Sequence, residues 1–247
     1  MAHLVAPTMG TTVSIDVRDR WIAGDVLEAA VAVLGELDAR FSTYRRDSEI
    51  SRIDRGELAP EDAHPDVREV LHACSVLAAE SGGAFDAWLD GRLDPSGYVK
   101  GWAAERAAEV LRRAGARSFA LNLGGDTVCA GEPTPGMPWR VGVRHPHDAG
   151  RIALVLGVRT GAVATSGLYE RDGHVRDGRT GDRALGWASV TVFAPELSTA
   201  DALATAALAM GSDGPAWAAA RFGCEVAAID AGGRLWVSGG LGPMRIA

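Results

Sequence analysis

Past residue 118 the chain breaks into short apolar or alternating stretches bounded by Gly, Pro or Asp, whereas the stretches before it repeat mainly with helical spacing. Residues 118–123, 139–143, 152–158, 162–165, 188–193, 225–229 and 235–238 all read as strands, and 11–17 adds an early one through its alternation and β-branched residues. Residues 26–37, 67–79 and 100–114 carry apolar residues at helical spacing; the second and third of these run into Gly82 and Gly115, which suit a left-handed cap. Residues 41–44 read as a loop and 45–54 as a turn with a short helix, and two further helices are expected between 198 and the final strand pair. Helices gathered early and strands gathered late predict an α+β fold with a mainly antiparallel sheet rather than a βαβ alternation.

The 247 residues fit one domain, or two lobes sharing a core, and no repeat or linker divides them. Acidic residues outnumber basic ones by 32 to 25, and the arginines are scattered, so the basic stripe of a nucleic-acid binder is missing. Cys74, Cys129 and Cys224 form no Cys-x-x-Cys pair and read as small buried hydrophobes. No window has the apolar length of a membrane span, and Met1 to Gly10 lacks the pattern of a secretory signal, so a cytoplasmic location is the expectation.

Several stretches carry chemistry-bearing residues. Ser198-Thr-Ala-Asp-Ala-Leu-Ala-Thr205 places Asp201 and Thr205 one helical turn apart, on one face. Two readings stay open: half of a site for a hard cation such as Mg2+, or a helix start in which Ser198 or Thr199 caps and Asp201 complements the dipole. Asn122-Leu-Gly-Gly-Asp126 follows a strand and reads either as a hairpin turn or as a close backbone approach to a ligand. Ala164-Thr-Ser-Gly-Leu-Tyr169 offers hydroxyls and amides suited to an anion. Next, Gly173-His-Val-Arg-Asp-Gly-Arg-Thr-Gly181 brings His174, the residue type best matched to general-base work near neutrality. Phe85 in Gly82-Gly-Ala-Phe-Asp86 and Tyr44 in Phe41-Ser-Thr-Tyr44 are candidates to sandwich a planar ring.

Taken in order along the chain, these blocks resemble the FAD:protein FMN transferase family, the ApbE-type flavin transferases. The resemblance also takes in Met9-Gly-Thr-Thr12, Asp47-Ser-Glu-Ile-Ser-Arg52, Asp94-Pro-Ser-Gly-Tyr-Val-Lys-Gly-Trp102 and Pro138-Trp-Arg-Val141, and so covers nearly all of residues 1–247. It implies a T-fold-like domain and a Mg2+-dependent enzyme. Such an enzyme cleaves FAD, releases AMP, and leaves FMN as a phosphoester on a Thr or Ser of an acceptor flavoprotein. By the same resemblance Mg2+ is held by the side chains of Asp201 and Thr205 and the carbonyls of Gly97 and Ala204. FAD is contacted by Met9, Tyr44, Ala84, Phe85, Asp86, Lys100, Thr165 and Val175. His174 and Asp201 are the implied catalytic pair, and Asp126 is expected to help shape the site.

The sequence departs from the family pattern in three places. Only residues 87–93 join the Asp86 and Asp94 blocks where the family carries a long insertion, which predicts a more open site. Gly97 replaces a more usual alanine, predicting a looser loop, and Gly178 replaces a proline, predicting freer motion of the segment carrying His174. A Mg2+-dependent FAD hydrolase, or a carrier that binds FAD without turnover, would use many of the same residues.

Overall fold

The protein is seen in a computed structural model that describes residues 1–169 and 175–246. The early half supplies a hairpin of β1 (Ala2–Thr8) and β2 (Thr11–Val17), then α1 (Gly24–Phe41), α2 (Glu49–Asp54) and α3 (Pro65–Glu80). A two-stranded hairpin of β3 (Trp88–Leu89) and β4 (Arg92–Leu93) leads into α4 (Ser96–Arg113). Five strands follow: β5 (Phe119–Leu123), β6 (Asp126–Ala130), β7 (Trp139–His145), β8 (Asp148–Val158) and β9 (Gly161–Gly167). The chain closes with β10 (Trp187–Ala194), α5 (Leu197–Met210), α6 (Gly214–Ala219), β11 (Glu225–Asp230), β12 (Leu235–Val237) and β13 (Arg245–Ile246).

Eight strands form one antiparallel sheet in the order β1-β2-β5-β6-β9-β10-β11-β12, and β13-β8-β7 form a second, smaller sheet. Because side chains alternate along a strand, each central strand serves two layers. Leu121, Val128, Ala162, Ala164, Val190 and Val192 face the helices, while Cys129, Val163 and Ala227 pack with Trp139, Val141 and Leu156 of the small sheet. The result is helices on one face of the large sheet and the small sheet on the other. Burial pushes the thiols of Cys74 and Cys129 up to about 12, and all three cysteines are free and buried, which fits structural residues rather than nucleophiles.

The α+β expectation holds, as do the expected helices and strands in their main extents. Five strands were not expected: the short β3, β4 and β13, and the longer β1 and β6. Pro7 sits in β1, and the structure tolerates it because β1 is an edge strand. β6 starts directly after the Gly124-Gly125 turn, whose positive φ values of 60° and 104° make it the hairpin connection between β5 and β6. Phe41 belongs to α1 rather than to the following loop, with its ring edge-on to Trp102 at 5.4 Å. Among the described residues no helix is long and apolar enough to cross a membrane.

Candidate active site

α5 begins at Leu197 with Glu196 as the flanking residue, and no side chain at its start caps it locally. The Leu197 amide instead donates to the carboxylate of Glu105, from α4, at 2.8 Å. Asp201 therefore lies beyond the first turn, so the capping reading fails. It is 2% exposed, and its Oδ2 accepts the Gly101 amide at 2.7 Å. In a regular helix that amide is directed to the carbonyl of Gly97, four residues back. Engaged by Asp201, it ties the second turn of α4 to the second turn of α5.

The two helices meet through small residues. A Cβ on Gly101 would stand 2.5 Å from the Leu197 carbonyl oxygen and 2.6 Å from Asp201 Cβ, so only glycine fits this crossing. Gly97 lies one turn earlier, inside α4 rather than in a loop, and a Cβ there would reach Thr205 Cγ2 at 2.9 Å and Phe85 Cε2 at 3.1 Å. The glycine thus lets Thr205 approach closely; the expected loosening is not what it provides. Gly97, Asp201 and Thr205 are brought together, with Ala204 fully buried between the last two in α5.

A charged cluster adjoins them. The Lys100 ammonium meets Asp126 Oδ2 at 2.6 Å and lies 3.7 Å from Asp201 Oδ1. Asp126, 1% exposed at the start of β6, also accepts the Thr165 amide on Oδ1 at 2.9 Å. Among the described residues one lysine thus faces two buried carboxylates, a balance that favours a further cation. The side chain of Thr165 itself points to the far face of the sheet, where its hydroxyl meets that of Thr191 at 2.9 Å. The hydroxyl that reaches α5 is the neighbour's: Ser166 Oγ lies 2.9 Å from Thr205 Oγ1. The sequence reading missed Ser166, because adjacent hydroxyls in a strand face opposite ways and the register of β9 is a tertiary fact.

The nucleotide-side residues divide by exposure. Tyr44 is 88% exposed on the rim of a pocket of about 270 Å3 that also takes in Arg46, Arg55 and Arg92. Phe85 is buried in the core, so the expected sandwich of Phe85 and Tyr44 about one ring is not formed. Ala84 and Phe85 are buried, their amides bonded to the Ser81 carbonyl and Ser81 Oγ, while Asp86 is exposed and its Oδ1 accepts the Trp88 amide. Met9 turns the β1–β2 hairpin with a left-handed φ of 49°, a strained value for methionine, and is partly buried against the core. Val175 is buried and bonded through its carbonyl to the Ala184 amide.

The short connection at 87–93 forms the tight β3–β4 hairpin, turning at Asp90-Gly91 with positive φ at both residues. Gly178 is an anchor: its amide donates to the Ala84 carbonyl at 2.9 Å, a bond proline cannot make. A Cβ there would lie 2.4 Å from the Gly83 carbonyl oxygen, so the expected freedom at this position is replaced by close docking. Beside it, the Arg179 guanidinium grips Asp177 through two hydrogen bonds and holds its carboxyl below the usual carboxylate range. His174 lies outside the described residues.

Donor chemistry at this place is all oxygen, with a single carboxylate among the residues sequence reasoning named for a metal. Among the described residues no group of three His, Cys, Asp or Glu could form a protein-only cage. One or two carboxylates, hydroxyl and carbonyl oxygens, and room for outside ligands suit a hard cation completed by phosphate and water.

Comparison with known proteins is consistent with this arrangement. Residues 9–91 and 88–229 match the ApbE family. A Vibrio cholerae protein named FAD:protein FMN transferase is 26% identical over 276 residues, spanning 85% of this chain and 82% of its own length. One of the same name from Treponema pallidum is 36% identical over 138 residues, 49% of this chain and 38% of its own. The solved structure described as flavin transferase ApbE from Vibrio cholerae superposes with a TM-score of 0.85 at 26% identity, covering 98% of both chains. The ApbE protein of Thermotoga maritima, 24% identical, shares the fold with a TM-score of 0.86 over 100% of this chain and 99% of its own. With the match running over most of its length, the chain belongs to the ApbE family.

Proposed function

We propose that this protein is a Mg2+-dependent FAD:protein FMN transferase, which moves FMN from FAD to a Thr or Ser hydroxyl of an acceptor flavoprotein and releases AMP. The reading is supported by the relatives' names and by one observation above all. Asp201 and Thr205 on α5, Gly97 on α4 and the Lys100–Asp126 pair converge on a single buried corner. A bound Mg2+ would supply charge neutralisation and Lewis-acid polarisation of the pyrophosphate. Asp201 and Thr205 would hold it through side-chain oxygens, and Gly97 and Ala204 through carbonyls, each of which keeps a second lone pair when hydrogen-bonded.

The chain's own groups then have distinct tasks. Tyr44 offers an exposed ring face to the flavin, and Met9, Ala84, Phe85, Asp86 and Val175 are assigned to its surroundings by the family resemblance. Lys100, fixed by Asp126, directs its ammonium at phosphate oxygens. Thr165 contributes by orienting Asp126 through its amide. The acceptor oxygen forms a bond to the FMN-side phosphorus, the bond from that phosphorus to the bridging oxygen breaks, and the AMP phosphate departs with the electron pair. His174 is assigned to take the proton from the attacking hydroxyl.

Following AMP release from FAD with an acceptor present tests the reading. AMP is expected with Mg2+ and none with excess chelator, and FAD retained intact under both conditions would mark a carrier instead.

A further inference from the structure

We infer that Ser166 is a positioning residue for Thr205, setting the hydroxyl for cation binding by accepting a hydrogen bond from it. This rests on the reading of Thr205 as a cation ligand. An oxygen that gives lone pairs to a cation must send its own hydrogen elsewhere. A threonine inside a helix, left alone, can turn its hydroxyl back to a carbonyl of the preceding turn of its own helix. In that geometry its lone pairs are poorly disposed toward a ligand off the helix.

Two contacts hold Thr205 in another arrangement. Its methyl lies against α4 at the place where Gly97 lacks a side chain, 2.9 Å from where a Cβ would stand. Its hydroxyl lies 2.9 Å from Ser166 Oγ, on the strand beneath α5. Methyl to one side and hydroxyl to the other fix the side-chain torsion. With Thr205 donating to Ser166, both lone pairs of Thr205 Oγ1 remain for the cation. Ser166 is itself buried, so water is a poor substitute acceptor. Groups that orient a metal ligand in this way commonly carry a ten- to hundredfold share of affinity.

The test is a double-mutant cycle read by Mn2+ titration of the nucleotide-free protein, with free Mn2+ followed by electron paramagnetic resonance. Ser166→Ala is expected to weaken Mn2+ binding roughly 10-fold. Ser166→Cys, similar in shape but a poor acceptor, gives a like loss, while Ser166→Thr stays within about threefold of the parent. Thr205→Val weakens binding at least as much as Ser166→Ala, and adding Ser166→Ala to it costs nothing more. Parent-like affinity in Ser166→Ala and Ser166→Cys, with Thr205→Val impaired, would overturn the role of Ser166 and leave the metal reading standing. A further loss in the double variant would overturn it too, since Ser166 would then act apart from Thr205. Unchanged affinity in Thr205→Val would remove Thr205 from the ligand set and the inference with it.

Discussion

Replacing Asp201 with alanine is expected to lower FAD cleavage by at least about a thousandfold, because it removes the one carboxylate placed to hold a cation at the pyrophosphate. The substitution would deprive the buried Gly101 amide of this acceptor and the Lys100 ammonium of one nearby carboxylate. Leaving a buried donor unpaired costs about 1–3 kcal/mol, so some loss of stability accompanies the loss of activity. Asp201→Asn separates the two effects. The amide oxygen can still accept from Gly101 and the volume is kept, so stability should largely return while cleavage stays low. Steady-state AMP release and thermal unfolding of both variants check this, and cleavage near the parent's rate in Asp201→Asn would remove the charge from the account.

Gly101→Ala should disturb the same site from the other helix. At an ordinary helical position alanine is favoured over glycine by up to about 1 kcal/mol. Here the added Cβ meets the Leu197 carbonyl oxygen at 2.5 Å and Asp201 Cβ at 2.6 Å, and neither belongs to a flexible side-chain end. Overpacking of this kind costs roughly 1–3 kcal/mol or more, so sterics outweigh propensity. For a domain of this size each kcal/mol is about 2–4 °C in Tm, and a drop of several degrees is expected. Because α4 and α5 must part, the Gly101–Asp201 bond lengthens and Mg2+ affinity falls as well. Thermal melts and Mg2+ titration measure both, and a variant as stable as the parent would show that the helices meet less closely than described.

Much of this fold is legible in the sequence because the relevant signals are local. The spacing of Leu27, Ala30, Leu34 and Leu37 marks the buried face of α1, and the alternation of Val13, Ile15 and Val17 marks β2. β1 hid behind Pro7, whose missing amide matters little on a sheet edge. The start of α5 was obscured for the opposite reason. Ser198 and Thr199 look like caps, yet the helix begins before them and takes its first-turn acceptor from Glu105, 92 residues away. A remote side chain leaves no trace in a local window. The same holds for the site: motif order placed Asp201, Thr205 and Lys100 together, but nothing local says that Ser166 rather than Thr165 faces α5, or that Asp126 holds Lys100.

Gly178 makes the point about departures from a family pattern. Its amide bond to Ala84 and its fit against Gly83 turn an apparent loss of rigidity into a docking contact. Gly97 behaves likewise, since its missing side chain is the space that Thr205 occupies.

Transfer of FMN to another protein, rather than binding or hydrolysis of FAD alone, can be read on the acceptor itself. Intact-mass spectrometry of a flavinylatable acceptor domain, after incubation with this protein, FAD and Mg2+, tests it directly. The account predicts an acceptor heavier by one FMN moiety at a Thr or Ser, with an equal amount of AMP. AMP and free FMN beside an acceptor of unchanged mass would contradict it.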